Sequence, residues 1–392
     1  MKEVSRLLAR YAQELKERGA SRSKQVERAF RRVERHRLLE WLYLEDDESK
    51  FEYAGKRFAR RDFDLQDPDP ALLEVIYSDR ALLTRLDPPS STSQPTLVAE
   101  MLELLELGRG MNVLEIGAGT GYNAALMQEI VGDGGHITAI DIQEEVVEQT
   151  RRLLEAAGYD KIEIIAKDGA FGHPENAPYD RIVATVGCPD ISFRWAEQLA
   201  DGGFMLIPLQ HGGEGFDPLV QIWKEDGKLI GRFVGWSGFM SIRGELEVEQ
   251  RVSFAGQQSL RGREPTAEYP LFGSLKELNE LRGKGQWEEF QAFPLFLALA
   301  DERAYWGGLF DEEKGVILID RKKIALYGDE SLYQDLKGLC EQWEGLGRPG
   351  LSDWRLEFFP RGHAPKIAEQ EGAWVIERKF SEEIVRLTPS RG

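Results

Sequence analysis

The sequence predicts an α/β fold: a doubly wound, mostly parallel sheet, preceded by a helical N-terminal segment and followed by a smaller α+β domain. Short apolar strands alternate with helices between about residues 93 and 245, the pattern of a parallel sheet with helices on both faces. A glycine-rich turn at residues 117–121 joins the first of these strands to a helix. Six of the nine tryptophans lie after Gly235, where the alternation stops, which indicates a further domain.

Length and composition set the domain count and the class of protein. The chain has 392 residues, which is too long for one average domain. We predict N-terminal helices with a charged insert over residues 1–80, the sheet domain over 81–245 and the α+β domain over 250–392. The chain has no apolar run long enough to span a membrane and no apolar signal core at its charged start, so we expect a cytoplasmic protein. Two cysteines and five scattered histidines indicate no metal site.

Two amphipathic helices are predicted at the N-terminus. The apolar residues of the first recur along one helix face, at Val4, Leu7, Leu8, Tyr11 and Leu15. Gly19 ends this helix, and Ser21 or Ser23 caps the next one. Residues 45–75 are charged and irregular, which predicts an exposed connection with a short hairpin at 51–58.

Strands and helices alternate through the predicted sheet domain. The strands cover residues 112–116, 136–141, 162–166, 179–186 and 203–209. The helices between them cover residues 122–130, 144–157 and 194–199. Residues 219–224 and 229–233 predict a hairpin that forms an antiparallel edge of this sheet. In the last domain we predict a strand pair over 315–327, a helix over 331–343, and strands over 354–359 and 374–379.

The glycine turn carries the first functional signal. Gly117, Gly119 and Gly121 allow the backbone to approach a ligand closely, and their spacing differs from that of dinucleotide sites. Glu115 lies on the strand just before the turn, where a carboxylate suits a cationic ligand and would repel a pyrophosphate. S-Adenosyl-L-methionine carries a sulfonium and an ammonium group. We therefore predict it as the cofactor, with S-adenosyl-L-homocysteine as the product.

Acidic residues at the next two strand ends extend the predicted cofactor site. Asp141, twenty residues past Gly121, can accept hydrogen bonds from both ribose hydroxyls. Asp168 follows the third strand and can accept one from the exocyclic amine of adenine. The remaining predicted cofactor residues adjoin these motifs: Thr120, Tyr122, Asn123, Ile142 and Gly169.

Charge argues against a nucleic-acid partner. The formal net charge is −18, which repels a polyanion. Residues 1–37 depart from this balance, with twelve Lys and Arg against five Glu. We interpret this segment as a solvated helical face, and a docking surface for an acidic peptide is the alternative.

Several motifs together resemble the protein-L-isoaspartate O-methyltransferase family. The most specific are SQPTLVAEML at residues 93–102 and VLEIGAGTGYNAA at residues 113–125. Shorter matches are RHR at 35–37, KDGAFG at 167–172, APYDRI at 177–182 and QLADGG at 198–203. The resemblance covers roughly residues 10–40 and 90–245. It implies a Rossmann-like fold and methyl transfer to a side-chain carboxylate of a peptide or protein substrate that carries Asp or isoAsp.

The resemblance also implies roles for particular residues. Ser93 would contact the substrate carboxylate beside the methyl donor, with Thr92 as the second candidate. The strand end formed by Thr185, Val186 and Gly187 would offer backbone groups to the substrate peptide. A carboxylate is already an anion at neutral pH, so transfer to it needs no general base. The alternative for the Ser90–Ser93 cluster is a helix cap before Pro95, and both roles can hold together.

The sequence departs from the family pattern near the predicted substrate site. Leu38-Leu39-Glu40 stands where Phe-Val-Pro is usual, and a charged insert follows to about residue 80. The segment 89–93 is Pro-Ser-Ser-Thr-Ser, where Gly-Gln-Thr-Ile-Ser is usual. With the added C-terminal domain, these features resemble methyltransferases that act beside ribosomal peptide tailoring enzymes. Such enzymes methylate an aspartate in a constrained peptide, and the ester closes to an aspartimide. Repair of isoaspartyl residues in damaged proteins is the alternative.

Other classes of function are less consistent with these residues. A catalytically silent peptide-binding scaffold would not need Glu115, Asp141 and Asp168. A methyltransferase for a small carboxylic acid would leave the C-terminal domain without a role. A nucleic-acid methyltransferase would be expected to carry an Asn/Asp-Pro-Pro-Tyr-like motif after the fourth strand, which is absent here. Cys188 is a possible nucleophile, although we interpret it as a structural residue beside Pro189.

Overall fold

The computed structural model describes two compact units of the chain. The described residues are 2–53, 55–212, 216–249, 263–283, 287–305, 307–320, 322–366 and 372–388. The first unit comprises Met1–Val186, Ser192–Leu206 and Ile242–Glu245. The second comprises Gly187–Ile191, Ile207–Ser241 and Leu246–Gly392. Trp306 and the start of the predicted last domain, at 250–262, lie outside the described residues.

The first unit begins with the two predicted helices, α1 (Lys2–Glu17) and α2 (Lys24–Arg32). Gly19, with a φ of +77°, follows α1 and ends it as predicted. Ser23 caps α2, because its hydroxyl accepts a hydrogen bond from the Val26 N–H at 3.3 Å. The apolar face of α1 is buried at Leu7, Leu8, Tyr11 and Leu15.

The charged insert contributes three strands to a five-stranded antiparallel sheet, so the prediction of an irregular connection is wrong. The strands of this sheet are β1 (Trp41–Glu45), β2 (Phe51–Tyr53), β3 (Lys56–Asp62), β4 (Leu82–Leu86) and β5 (Pro89–Thr92). They lie in the order β2-β3-β1-β4-β5, and helix α3 (Pro70–Ile76) precedes β4 in the chain. The predicted hairpin is confirmed as β2 and β3. Leu42 and Phe58 are buried among charged residues that obscure the strand periodicity in the sequence.

The predicted doubly wound sheet forms the rest of the first unit. Its helices are α4 (Pro95–Leu104), α5 (Tyr122–Val131), α6 (Glu144–Ala157) and α7 (Phe193–Glu197). Its strands are β6 (Asn112–Ile116), β7 (His136–Asp141), β8 (Glu163–Ala166), β9 (Tyr179–Ala184) and β10 (Leu199–Pro208). They run parallel in the order β10-β9-β6-β7-β8. The chain moves outward from β6 to β8 and then returns to β9 on the other side of β6. Ligands bind at such a switch point, outside the carboxyl ends of the strands.

The second unit contains two antiparallel sheets. One has the order β11-β12-β18-β20-β19 and the other β13-β17-β16-β15-β14. The strands are β11 (Asp217–Glu225), β12 (Lys228–Ser237), β13 (Ala267–Pro270), β14 (Ala304–Tyr305), β15 (Gly308–Asp311), β16 (Gly315–Ile319), β17 (Lys323–Gly328), β18 (Trp354–Pro360), β19 (Ala373–Glu377) and β20 (Ser381–Leu387). The helices are α8 (Gly273–Gly283), α9 (Trp287–Ala300) and α10 (Ser331–Gly345).

The compact units divide the chain differently from the predicted domains. The hairpin of β11 and β12 forms as predicted, but it is not a sheet edge, because residues 229–231 of β12 pair with β18. Residues 207–241 therefore group with the C-terminal residues, whereas the sequence suggested the sheet domain. The assignment of separate functions to the three predicted parts stays a prediction. Trp343 and Trp354 are core residues of the second unit, at 2% and 1% exposure. Within the described ranges, no helix is long and apolar enough to cross a membrane.

The basic N-terminal segment is paired with acidic side chains of its own unit. Three of these pairs are Arg10 with Glu74, Arg18 with Asp79, and Arg32 with Glu129. Such exposed pairs contribute little stability, but they neutralise the local positive charge. They favour the interpretation of a solvated helical face over that of a docking surface for an acidic peptide.

Candidate cofactor and substrate site

The loop after β6 depends on three glycines in unusual backbone conformations. Gly117, Gly119 and Gly121 have φ angles of +99°, +50° and +73°, which L side chains rarely adopt. A Cβ atom on Gly117 would lie 2.8 Å from Cγ1 of Val186, at the end of β9. A Cβ atom on Gly121 would lie 2.8 Å from Cγ2 of Thr150, on α6. Close packing on two sides therefore determines the path of this loop.

Glu115, on β6, is a buried carboxylate with one unused oxygen. Its Oε1 accepts hydrogen bonds from Asn123 Nδ2 at 2.8 Å and from Thr185 Oγ1 at 3.4 Å. Its Oε2 is buried and bonds to none of the residues that the structure describes. Burial raises the pKa of Glu115 to about 8, although the bonds from Asn123 and Thr185 act in the opposite direction. This carboxylate is suited to a cationic ligand, which would favour its ionised form.

Asp141 joins the end of β7 to the glycine loop. Its Oδ2 accepts the N–H of Gly119 at 3.0 Å, and its Oδ1 accepts the N–H of Gln143 at 3.0 Å. Each oxygen has a second lone pair, so the predicted bonds to ribose hydroxyls are compatible with these contacts. Ile142, the next residue, is 39% exposed and offers an apolar surface beside the carboxylate. Together with the unused oxygen of Glu115, these residues fit S-adenosyl-L-methionine.

Asp168 has a second role that the sequence did not reveal. Its Oδ1 accepts the N–H two residues ahead at 2.9 Å, and its Oδ2 accepts the N–H of Glu245 at 2.7 Å. A Cβ atom on Gly244 would lie 2.4 Å from the Asp168 carboxylate, so the segment ending at Glu245 is held against it. Gly169 packs on the last residue of β6, because its Cβ would lie 2.5 Å from Cγ2 of Ile116. The bond from Asp168 to adenine stays a prediction.

The two predicted catalytic hydroxyls have different environments. Thr92 is 2% exposed, and its Oγ1 accepts a hydrogen bond from Arg35 Nε at 3.3 Å. Ser93 is half-buried, and its hydroxyl has no hydrogen-bond partner in the described ranges. The segment lies against the glycine loop, since a Cβ atom on Gly119 would be 3.4 Å from the Ser91 carbonyl oxygen. Of these two hydroxyls, only that of Ser93 lacks a partner in the described ranges, and a catalytic role for either residue stays a prediction.

Arg35 binds the backbone of the segment that contains Thr92 and Ser93, a role that sequence reasoning missed. The side chain is fully buried, and in the described part of the chain no carboxylate pairs with it. Its guanidinium donates to Thr92 Oγ1 and, within 3.5 Å, to the carbonyl oxygens of Ile76, Ser78, Arg80, Thr92 and Ser93. Tyr122 packs on the same group, with its ring centroid 5.5 Å from Arg35 Cζ. The ring of Tyr122 is buried against Phe30 of α2, and its predicted contact with the cofactor stays a prediction.

The end of β9 lies beside the glycine loop. The Thr185 hydroxyl donates to the Gly117 carbonyl oxygen at 2.6 Å. In the second unit, the N–H of Gly187 donates to the Met240 carbonyl oxygen at 2.9 Å. That N–H already has a partner, so any backbone contact of Gly187 with a substrate would use its carbonyl oxygen. Substrate binding by Thr185, Val186 and Gly187 stays a prediction.

A cavity in the first unit adjoins the glycine loop. Gly119 and Thr120 line one side of it, and Leu38, Leu39 and Glu40 line another. The last three are the residues that depart from the family motif. The substituted positions therefore lie near the predicted site of methyl transfer.

Two other kinds of chemistry lack support in the structure. Cys188 is fully buried, and burial, followed by the charges of Asp217 and Asp190, raises the pKa of its thiol well above the ordinary value. A thiolate nucleophile is therefore disfavoured. Across the described ranges, no three His, Cys, Asp or Glu side chains come together as metal ligands.

The fold and the site define the class of the protein. A doubly wound sheet, a glycine loop at its switch point, a buried acid before that loop and acids at the next strand ends are the arrangement of an S-adenosylmethionine-dependent methyltransferase. Comparison with known proteins agrees with this class. Residues 60–245 match the family model for protein-L-isoaspartate(D-aspartate) O-methyltransferase.

Individual relatives carry the same name. A protein-L-isoaspartate O-methyltransferase of Thermotoga maritima is 30% identical over 277 residues, which cover 70% of this chain and 81% of the relative. One from Thermococcus sibiricus is 36% identical over 243 residues, which cover 55% of this chain and 95% of the relative. A solved protein-L-isoaspartate O-methyltransferase matches with a TM-score of 0.53 and 25% identity, and the match covers 89% of this chain and 96% of that one.

The chain belongs to the protein-L-isoaspartate O-methyltransferase family. It is accordingly an enzyme, and S-adenosyl-L-methionine is its cofactor.

Proposed function

We propose that this enzyme methylates the side-chain carboxylate of an aspartyl residue in a constrained, ribosomally made peptide, and that the ester then closes to an aspartimide. The observation that carries this proposal is the Ser93 hydroxyl. It has no partner in the described ranges, and its segment lies against the glycine loop. Such a hydroxyl can donate a hydrogen bond to a carboxylate and orient one of its oxygens.

Catalysis in this proposal consists mainly of binding and orientation. Glu115 and Asp141 would hold the cofactor at the glycine loop, and Ser93 would orient the acceptor carboxylate. When bound, the cofactor supplies a methyl group on a positively charged sulfur, which is an effective leaving group. The acceptor is already an anion near neutral pH, so no residue has to remove a proton. Holding the reactants in line can contribute roughly 7–11 kcal/mol to lowering the barrier.

Ring closure takes place on the methylated peptide. The backbone nitrogen of the residue after the aspartate attacks the ester carbonyl carbon and forms a new C–N bond. The C–O bond to the methoxy group breaks, and the nitrogen's proton leaves with that group as methanol. The product is the five-membered aspartimide.

The preference for a constrained peptide rests on the residues around the acceptor side. Leu38, Leu39 and Glu40 replace the usual motif and line the cavity beside Gly119. The insert supplies strands β1, β2 and β3 of a five-stranded sheet, whose strand β5 ends at Thr92. Added surface at this place can recognise a shaped substrate, and a rigid peptide loses less entropy on binding than a flexible one.

Repair of isoaspartyl residues is the second candidate, and the relatives favour it. The solved relative matches 89% of this chain, a larger share than residues 1–245 could supply. Part of the match therefore lies in the C-terminal residues, so their presence does not distinguish a tailoring enzyme from a protein-L-isoaspartate O-methyltransferase.

A competition between two matched peptides separates the candidates. The full chain would be incubated with S-adenosyl-L-methionine, a macrocyclic aspartyl peptide and a linear isoaspartyl peptide of the same sequence. Mass spectrometry would follow the gain of a methyl ester and then the loss of methanol on ring closure, which leaves the aspartimide one water lighter than the starting peptide. Preference for the macrocycle supports tailoring, and preference for the linear isoaspartyl peptide supports repair. Methylation of neither peptide by cofactor-loaded enzyme would refute both.

The remaining parts of the proposal concern partners and location. The partner is a peptide or protein that carries Asp or isoAsp, and the net charge of −18 argues against nucleic acid. We propose that the enzyme acts in the cytoplasm. Both cysteines are free thiols, Cys188 and Cys340, and this is consistent with a reducing compartment.

A further inference from the structure

Arg243 is a half-buried cation of the first unit that the proposed chemistry does not use. Its Nη2 donates one long hydrogen bond, of 3.5 Å, to the carbonyl oxygen of Pro89. Across the described ranges, no carboxylate forms an ion pair with this guanidinium, and its other donors bond to no protein group. A guanidinium has five N–H donors, so most of its hydrogen-bonding capacity is available to a ligand.

Two other arginines of the same unit are paired with acids. Arg85, on β4, pairs with Glu145 in the first turn of α6. Arg194, on α7, pairs with Glu245 at 3.2 Å, although Glu245 lies only two residues from Arg243. Partial burial of an unpaired cation has a free-energy cost, and a charge-assisted bond to an anionic ligand would offset it.

The backbone on both sides of Arg243 has a defined position. Ile242, the preceding residue, is 5% exposed. Gly244, the following residue, has a φ of +96°, and a Cβ atom there would lie 2.4 Å from the Asp168 carboxylate. Asp168 also accepts the N–H of Glu245 at 2.7 Å. A side chain on such a fixed backbone loses less entropy when it binds a ligand.

Arg243 contacts the strand that leads to the Ser93 hydroxyl. Strand β5 begins at Pro89 and ends at Thr92, and the carbonyl group of Ser91 lies against the glycine loop. A strand rises about 3.3 Å per residue, so Pro89 and Ser93 are at most about 13 Å apart, which is the length of about four residues of an extended peptide. A peptide whose acceptor carboxylate lies at Ser93 can therefore place a nearby side chain at Arg243.

The acceptor carboxylate itself is a poor partner for this guanidinium. Methyl transfer consumes the negative charge of the acceptor, so an ion pair with it would be stronger before the reaction than in the transition state. Such an interaction would raise the barrier. A second carboxylate keeps its charge throughout and would be bound equally in both states. The chemistry therefore favours an acidic side chain that flanks the acceptor residue.

We propose that Arg243 binds an acidic side chain of the peptide substrate, within about four residues of the aspartate or isoaspartate that is methylated. Arg243 is thus a specificity-determining residue, and it takes no part in the transfer itself. The inference rests on the proposed function, because it places the acceptor carboxylate at Ser93. It applies to a tailoring substrate and to a repair substrate alike.

The test changes the charge of both partners. A peptide that the wild type methylates is made with Glu, Gln or Lys at each position up to about four residues on either side of the acceptor. The full-chain variants are Arg243→Gln, which removes the charge, and Arg243→Glu, which reverses it. The measurements are the peptide KM and kcat at low and high salt, and the cofactor Kd, which also reports whether each variant is folded.

Arg109→Gln is the matched control. Arg109 belongs to the same unit, is exposed, and forms no ion pair within the described ranges. It precedes β6 and so lies at the amino ends of the parallel strands, whereas the glycine loop follows β6 at the carboxyl ends. Its replacement therefore removes an equal charge from the opposite edge of the sheet.

At one or more positions, we expect the wild-type KM to be about fivefold lower for the Glu peptide than for the Gln peptide, and highest for the Lys peptide. High salt should reduce this difference, because it screens partly exposed charges. Arg243→Gln should abolish the preference, and Arg243→Glu should reverse it in favour of Lys. Arg109→Gln should keep it, and the cofactor Kd should be unchanged in all three variants.

Several results would overturn the inference. One is an equal wild-type KM for the three peptides at every position, which needs no variant to fold. Another is a preference for Glu that persists in Arg243→Gln or Arg243→Glu. A raised cofactor Kd in Arg243→Gln, with the peptide preference retained, would assign the guanidinium to the carboxylate of the cofactor. If the cofactor-loaded wild type methylates no peptide, the proposed function is refuted, and the inference with it.

Discussion

The side-chain amide of Asn123 donates a hydrogen bond to Oε1 of Glu115 at 2.8 Å and leaves Oε2 of the same carboxylate for another partner. Asn123 lies in the first turn of α5, and Glu115 lies on β6, so the bond spans the glycine loop. The amide thus orients the acid before any ligand is bound. Asn123 therefore supports Glu115 in the ligand-free protein, and its predicted contact with the cofactor stays a prediction.

Cofactor affinity should depend on pH through Glu115. The pKa of this group is about 8 in the ligand-free protein, and a cationic ligand favours the ionised form. Binding below pH 8 therefore releases a proton, and affinity should fall by up to about tenfold for each pH unit below that value. Calorimetry between pH 6 and 9 tests this. The Glu115→Gln variant should bind weakly and without this dependence, and a flat profile in the wild type would contradict the assignment.

The same group should affect stability in the ligand-free protein. The folded-state pKa of Glu115 is raised, so the folded protein keeps a proton that the unfolded chain loses above about pH 4.5. The free-energy cost of burying the ionised carboxylate grows as pH rises from about 4.5 to 8, and it reaches its full value above pH 8. Glu115→Gln should therefore be more stable than the wild type by roughly 5 kcal/mol at pH 9, and equally stable near pH 4. Denaturant titrations at the two pH values provide the check.

Asp141 should contribute to cofactor binding through charged hydrogen bonds. Asp141→Ala is expected to weaken binding by about 1–3 kcal/mol, because it removes an ionised acceptor and also frees the N–H of Gly119. Asp133→Ala is a suitable control, since Asp133 is an exposed acid of the same unit that pairs with Lys161. Equal cofactor affinity in the Asp141 variant and the wild type would place the ribose elsewhere.

Substitution of Ser93 should affect turnover, whereas substitution of Thr92 should affect stability. Ser93→Ala is expected to lower kcat by about ten- to a hundredfold at saturating cofactor, since its hydroxyl would orient the acceptor. Thr92→Val should instead lower thermal stability, because it leaves the Nε donor of Arg35 buried without this acceptor. Loss of cofactor affinity in Ser93→Ala, with normal turnover, would assign that hydroxyl to the cofactor.

Arg35 should resist conservative replacement. A lysine has three donors on one nitrogen and cannot serve the six acceptors that the guanidinium contacts. Arg35→Lys is expected to lower the free energy of unfolding by about 3 kcal/mol. Arg37→Lys, at an exposed position two residues on, should change it by less than about 0.5 kcal/mol. Similar effects of the two replacements would mean that the buried contacts contribute little.

The sequence was most informative where function depends on local backbone geometry. The glycine loop, Glu115 before it and Asp141 after the next strand are recognisable because each motif is contiguous with a strand. The parallel sheet followed from the same alternation of strands and helices. The different environments of Ser93 and Thr92 could not be read from the sequence, since adjacent hydroxyls differ only in what surrounds them.

Contacts between distant residues could not be predicted from the sequence. Arg35 reaches Thr92 across 57 positions, and Asp168 reaches Glu245 across 77. Strand β1 and its pairing with β3 were not predicted, because most residues of β3 are charged or exposed. The two strands bury few side chains, among them Leu42 and Phe58. In the second unit, pairing of β12 with β18 joins residues more than a hundred positions apart.

The course of the chain through its two units limits how this enzyme can have diversified. The chain leaves one unit and enters the other after Val186, Ile191, Leu206, Ser241 and Glu245. Neither unit is therefore encoded by a continuous stretch of gene. A single crossover between two genes cannot exchange one unit for that of a relative, because it would combine half-complete sheets from different parents. Exchange of a whole unit would need several crossovers at once, whereas a point change or a loop insertion needs none.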